Sequence, residues 1–393
     1  MPPCITVQLQ EVFSVFQDVY VATFATHFHD IDDPRIDRTK FHLLHDILVI
    51  AVCAVICGAD GPTAIEHYAL AKQDWLQTWL KLPNGIPSHD TIGRVLAQID
   101  PHQFQASFIR WIQDICHLLP AEVVPIDGKT LRRSFDTELD QSPIHIVSAW
   151  ASRNRLVLGQ IKVNDKSNEI TAIPELLDAL DLTDCIVTID AMGCQKAIAT
   201  RIRAKGADYI LALKGNQGTL FTDVQDLFQS LLADSSTDSA LDYHEMTDHA
   251  HGRSEIRRYW TTDVLDRVST KDQWDDLRSV GMVETERTLR GGTTTEQRYY
   301  VLSISSNAQM FGNAVRSHWG IENSVHWVLD VSFREDESRI RVGHGPENFA
   351  ILRHIALNLL REETSFKGSI KTKRLKCGWN NDYLAKVLNL APF

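Results

Sequence analysis

The chain has 393 residues, with 44% hydrophobic and 23% charged side chains, the profile of an ordinary globular protein, so collagen-like, disordered and disulfide-scaffold classes are excluded. Its net charge is −11 and its pI near 5.8, which on average argues against a polyanionic partner. The average conceals a reversal from Arg341 to Phe393, where nine Lys and Arg meet four Asp and Glu. Such asymmetry permits a basic surface on an acidic protein. The length predicts two or three domains, since one domain usually spans roughly 100 to 200 residues.

From the N-terminus to residue 118 the pattern is helical, with apolar positions recurring at three- and four-residue spacing through Phe41–Cys57, Thr63–Leu80 and Thr91–Ile99. The longest apolar run, from Ile47 to Ala59, falls short of the roughly 20 residues that cross a bilayer and reads as a buried helix. The first residues lack a basic region followed by an apolar one, so no secretion signal and no membrane partner are expected, and the cytoplasm is the expected location. The seven cysteines are odd in number with no C-x-x-C pair, and Cys53 and Cys57 read as core residues. After the turn PNGIP, Ser88 caps a short amphipathic helix carrying Arg94. That helix suits either a bundle or the second helix of a helix-turn-helix, and the bundle is favoured.

After Pro120 the character changes. Three β-type runs at 122–127, 144–152 and 155–163, the last two joined at Arg153-Asn154, precede a helix capped by Asn168. A strand at 185–190, a helix at 195–205 stopped by Gly206, and a strand at 208–213 follow. The order β-β-β-α-β-α-β predicts an α/β domain with a mixed five-stranded sheet, the ribonuclease H-like architecture, beside an all-helical N-terminal domain. Residues 215–305 read as a β-rich insertion: a helix near 218–232, the polar link ADSSTDSALD, and strands near 254–262, 280–289 and 296–304 with Gly291 and Gly292 as a turn. Long helices are expected over Ala308–Leu329 and Pro346–Arg361. The domains are therefore drawn at 1–118, 119–365 and a basic segment 366–393.

Asp127 ends the first strand in IDGKTLRRS, Asp190 ends the fourth in TIDAMGCQ, and Glu322 lies within the following long helix. Neighbouring first and fourth strands set the two aspartates side by side, and the helix brings the third acid. Singly each is an ordinary turn or surface residue. Together, three clustered carboxylates call for divalent cations, Mg²⁺ or Mn²⁺, whose pairing at about 3.5–4 Å serves phosphodiester chemistry. Asp330, Glu335 and Asp336 are reserve acids, expected chiefly to pair with nearby arginines. Lys129, Arg132, Arg133, Lys214, Asn216, Gln217, Arg339 and Arg341 surround the acids and are candidate DNA contacts, as is the basic run 367–376. A glycoside hydrolase with paired carboxylates is the unrelated rival, and the basic residues beside Asp127 speak against it.

These motifs, with YILALKGNQ, RSHWGIENSVHWVLDVSFREDESRIR and NFAILRHIALNLL, resemble the ISAs-type, H repeat-associated group of insertion-sequence DDE transposases over residues 20 to 365. The resemblance implies a metal-dependent enzyme that cuts and joins DNA, with Asp127, Asp190 and Glu322 as both catalytic and metal-binding triad. Its partners would be the element's terminal inverted repeats and target DNA, engaged by a homo-oligomer. Many related enzymes carry Tyr seven and Arg four residues before the Glu and Lys seven after it, where this sequence has Val315, His318 and Leu329. His318 and His326 flank Glu322 and are the substitute phosphate-binding candidates. A nuclease that cuts without joining, and an inactive DNA-binding remnant, are the alternative readings.

Overall fold

The computed structural model describes residues 26–135, 142–163, 168–233, 240–250, 253–289 and 292–390. The expectation about the first residues, the Gly291 half of the predicted turn and most of the polar link lie outside the described residues.

Helix α1 (Leu44–Cys57) is apolar on every side and is buried along nearly its whole length. It stops at Gly58, whose φ of +117° is a left-handed conformation that closes the helix onto the Ala54 and Val55 carbonyls. Around it stand α2 (Pro62–Ala71), the single turn α3 (Gln73–Leu76), α4 (His89–Gln98) and α5 (Pro101–Ile115). Ser88 caps α4 by accepting from the Thr91 N–H, and Ile92, Val95 and Leu96 form its buried face. The exposed side of α4 carries Asp90 and His89, which pairs with Glu66 at 2.6 Å, while Arg94 folds back onto the Asp90 carbonyl. Among the described residues no single helix is long and apolar enough to cross a membrane.

The strands are β1 (Val123–Thr130), β2 (His145–Ala151), β3 (Leu156–Val163), β4 (Ile186–Ile189), β5 (Asp208–Leu213), β6 (Asp242–Ala250), β7 (Arg253–Thr262), β8 (Ser279–Leu289) and β9 (Gly292–Leu302). They form one mixed sheet in the order β3-β2-β1-β4-β5-β9-β8-β7-β6. β1, β4 and β5 run parallel and the remaining pairs are antiparallel. The sheet has nine strands where five were expected, because β9 returns alongside β5, pairing Ile210 with Leu302. The insertion thus widens the sheet. β6 escaped the sequence reading because DYHEMTDHA has no apolar alternation.

Helix α6 (Glu169–Ala179) covers β2 and β3, and α7 (Lys196–Ala204) covers β5. α8 (Gly218–Ala233) follows and rests on β9. On the other side α9 (Ala308–Ile321) packs Phe311, Ala314 and Val315 against Val123, Ile186, Ile210 and Tyr300. A five-residue π turn, Glu322–His326, joins α9 to α10 (Trp327–Phe333). The expected single helix is therefore interrupted. α11 (Gly345–Glu362) is the most buried helix and lies against α1, α4, α5 and β3. Its Asn358 bonds both the N–H and the carbonyl of Val157 at 2.9 Å, and Asn348 bonds the Leu96 and Ile99 carbonyls. With α12 (Ile370–Trp379) and α13 (Asn381–Val387), one apolar core runs continuously from Phe28 to Leu390 and includes the N-terminal helices.

Candidate active site

The parallel pairing of β1 with β4 aligns Ile126 with Ile189, so Asp127 and Asp190 emerge next to each other. Asp190 leaves β4 in a bend where its Oδ1 accepts from the N–H groups of Met192, at 3.0 Å, and Gly193, at 3.3 Å. The end of α9 is seated on the sheet by His318, whose Nδ1 lies 3.0 Å from Thr188 Oγ1, and by Gly320. A Cβ on Gly320 would meet the Trp150 ring at 2.7 Å, so only glycine permits this approach. Two residues later Glu322 opens the π turn with an exposed side chain. Asp127, Asp190 and Glu322 line a single cleft of about 340 Å³ together with Lys214, Arg298, Tyr300, His318 and Trp319.

Burial pushes the Asp127 carboxyl up to about 7, the Gly128 N–H opposes, and the carboxylates of Glu169, Glu322 and Asp190 push it further in the same direction as burial. Glu169 was not foreseen. Its Oε1 lies 2.6 Å from His145 Nε2, and His145 Nδ1 lies 2.8 Å from Thr130 Oγ1. The pair packs over Gly128, where a Cβ would stand 2.3 Å from Glu169 Oε1, which accounts for the glycine after Asp127. The π turn has its own support: Arg361 donates to the Ser324 carbonyl, and to that of Arg155 at 2.6 Å.

Several nominated DNA contacts are corrected by their surroundings. His326 Nδ1 stands 3.5 Å from Asp127 Oδ2, but burial, with Lys129 beside it, lowers its pKa to about 4. Burial also lowers His318. Both imidazoles are neutral near pH 7 and do not supply the charge of the Arg and Lys they were expected to replace. Lys129 points inward, contacting Asp330, Glu335 at 2.7 Å and Asp336 at 4.0 Å, so its ammonium is committed to carboxylates. Asn216 and Gln217 donate to the Ala191 and Cys194 carbonyls and hold the loop after Asp190. Within 367–376, Lys373 donates to the Leu360 carbonyl at the end of α11, and Arg374 to the Val55 carbonyl at the end of α1. Cations at helix carboxyl ends answer the unpaired carbonyls and the helix dipole.

Lys214 is exposed on the cleft. Arg132, Arg133 and Arg341 come together from distant segments: Arg341 donates to the Arg133 carbonyl and covers the Phe135 ring, and exposed Arg132 pairs with Asp336 at 3.3 Å. Arg339 is exposed just before Arg341. The sequence reading missed Arg298 and Trp319, which stack with the guanidinium 4.8 Å from the ring centroid. Two-residue alternation along β9, which sets Glu296, Arg298 and Tyr300 on one face, was the available signal.

The cleft offers oxygen donors, the set that suits a hard divalent cation. Among the described residues no three His, Cys, Asp or Glu side chains stand close enough to hold one ion.

Residues 25–112 match the family profile described as DDE_Tnp_1-associated, and residues 119–359 match the Transposase DDE domain. YhhI of Escherichia coli (strain K12), an H repeat-associated transposase by name, is 40% identical over 368 residues, covering 92% of this chain and 96% of its own. YncI of Escherichia coli O157:H7, also named a transposase, is 42% identical over 362 residues, covering 91% of this chain and 92% of its own. Among solved structures, a piggyBac transposase synaptic complex with hairpin DNA aligns at a TM-score of 0.39 and 10% identity, over 95% of this chain and 79% of that one. The chain belongs to the insertion-sequence DDE transposases.

Proposed function

We propose that Asp127, Asp190 and Glu322 are the acidic triad of a ribonuclease H-like centre that cuts DNA at the ends of its element and joins them to a target. The observation that carries this reading is the meeting of the three acids in one cleft, from two adjacent parallel strands and the turn after α9. The three carboxylates would hold Mg²⁺ or Mn²⁺, which supplies activation of a water or 3′-hydroxyl and stabilises the leaving oxygen. Lys214 binds a phosphate at the mouth of the cleft, and the Arg132, Arg133, Arg339 and Arg341 patch orients the backbone without reading sequence. Terminal repeats and target DNA are the partners, the protein acts in the cytoplasm, and it assembles as a homo-oligomer on the DNA.

The test is cleavage of DNA carrying the element's ends, with and without Mg²⁺. Wild-type protein cuts only with the metal, and Asp127→Asn loses on the order of 10²-fold or more in rate while still binding DNA. A variant as active as wild type refutes the assignment. Cutting without joining is favoured by the burial of His318 and His326, which holds both imidazoles below their ordinary range and away from the charge of the Arg and Lys of related enzymes. A joined product in the same reaction excludes that reading.

A further inference from the structure

We infer that Lys129 is a positioning residue, a buried ammonium that fixes the helix following Glu322 against the strand carrying Asp127. The inference rests on the reading of Asp127, Asp190 and Glu322 as the reacting site. Lys129 follows Asp127 by two residues on β1, so both side chains leave the same face of the strand. Its side chain is 13% exposed and contacts Asp330 on α10, the direct continuation of the turn that Glu322 opens. The same ammonium bonds Glu335, 3% exposed, which in turn faces Arg353, 1% exposed, at 3.5 Å. Strand β1 and helices α10 and α11 thus meet at one cluster of charges, two residues along β1 from Asp127.

Two alternatives are disfavoured by the chemistry. A phosphate contact would bring a further anion to an ammonium already facing Asp330, Glu335 and Asp336. A purely stabilising role is a poor use of buried ions, because the desolvation of each ion is barely recovered by pairing and an apolar plug does as well. What apolar contacts lack is direction. The Lys129 ammonium donates to Asp330, on α10, and to Glu335, two residues past its end, and these two bonds set the rotation of α10 about its axis. A π turn, an uncommon backbone state, needs such a fixed exit if Glu322 is to face Asp127 and Asp190 consistently.

The experiment uses the full chain with Lys129→Met, which keeps the length and loses the charge, and Asp330→Asn as the milder change should the first variant not fold. Mn²⁺ binding without DNA is followed by electron paramagnetic resonance, DNA binding in chelator by anisotropy at several salt concentrations, and turnover by cleavage. The expected result is Mn²⁺ affinity and cleavage rate each reduced about 10- to 100-fold, the usual cost of removing a group that orients a metal ligand. DNA affinity and its salt slope stay at wild-type values. Unchanged Mn²⁺ affinity and cleavage would overturn the inference. So would weaker DNA binding with a slope shallower by about one, the signature of a lost phosphate contact. Asp127→Asn is the control: if it also leaves Mn²⁺ binding unchanged, the site reading has failed, whereas a loss in Asp127→Asn alone isolates the failure to Lys129.

Discussion

Asp127 and the buried histidines titrate in opposite senses, and the balance between them is measurable. The Asp127 pKa rises from 3.8 to about 7 on folding, so its contribution to stability is complete below pH 4 and is lost as pH rises toward 7. His326 and His354 fall from 6.5 to about 4 because burial disfavours the charged ring, so their contribution is present above 6.5 and is lost as pH falls toward 4. Each group changes stability by about 1.4 kcal/mol per pH unit within its window, and the raised carboxyls of Asp330, Glu347 and Glu362 act in the sense of Asp127 while His45 and His318 act in the sense of the other histidines. As pH falls from 6.5 to 4 the metal-free protein loses the histidine contributions and regains that of Asp127. Asp127→Asn removes the opposing slope and should steepen that loss. Thermal melts across the range check it, and an Asn variant with a shallower acid limb would contradict the assignment. Added Mg²⁺ should raise the wild-type melting temperature more above pH 7 than below, since binding must displace the Asp127 proton. The three acids were legible as residues because strand ends and a helix position are local signals. The neutrality of His318 and His326 and the inward turn of Lys129 were not, because charge state and direction depend on what packs around them.

At the scale of elements, the parallel core strands and the covering helices were readable from apolar runs and caps, while the non-local features were hidden. β6 carries only Tyr243, Met246 and Ala250 as apolar residues, too few to show a period, and its pairing with β7 through Tyr243–Trp260, Glu245–Arg258 and Asp248–Arg257 is set by the partner strand. The return of β9 to β5 joins segments about ninety residues apart, beyond what local periodicity encodes. The π turn was the most consequential omission, since the run through Glu322 has ordinary helical spacing. One extra residue in that turn sets Glu322 relative to α10. Deleting Ser324 should restore a continuous α-helix, removing the widened turn that Glu322 opens and the carbonyl that Arg361 holds. The expected outcome is retained helical circular dichroism with cleavage reduced on the order of 10²-fold, as when a positioned catalytic group is misplaced. Cleavage at the wild-type rate would show that the turn is dispensable. Arg361→Met, which removes the donor to the Ser324 carbonyl, should act in the same direction and also lower the melting temperature, because a partly buried acceptor loses its charged partner.

Over the whole molecule the question is how a chain of net charge −11 holds a polyanion. Composition revealed the basic C-terminal region but not its destination. Lys373 and Arg374 turn inward, each bonding carbonyls at the end of a core helix, and Arg374 also lies 4.1 Å from the Phe333 ring centroid. Lys367, Lys371 and Lys386 stay exposed on that segment, while Lys214 at the cleft and the Arg132, Arg133, Arg339 and partly exposed Arg341 group lie outside near the acids. These two classes of cation have different signatures. A surface cation that binds phosphate releases counterions, so log K falls with log salt at about −0.9 per phosphate neutralised. Lys214→Ala should weaken binding across all sequences and make that slope shallower by about one, with little change in melting temperature. Arg374→Ala should leave the slope unchanged and destabilise the fold by about 2 kcal/mol, the range for losing a charged hydrogen bond to a buried carbonyl. Anisotropy titrations at several salt concentrations, paired with denaturant melts, separate the two. If Arg374→Ala instead flattened the salt dependence while keeping full stability, the C-terminal cations would belong to the DNA surface after all. If Lys214→Ala changed neither quantity, the cleft would have no phosphate contact at its mouth.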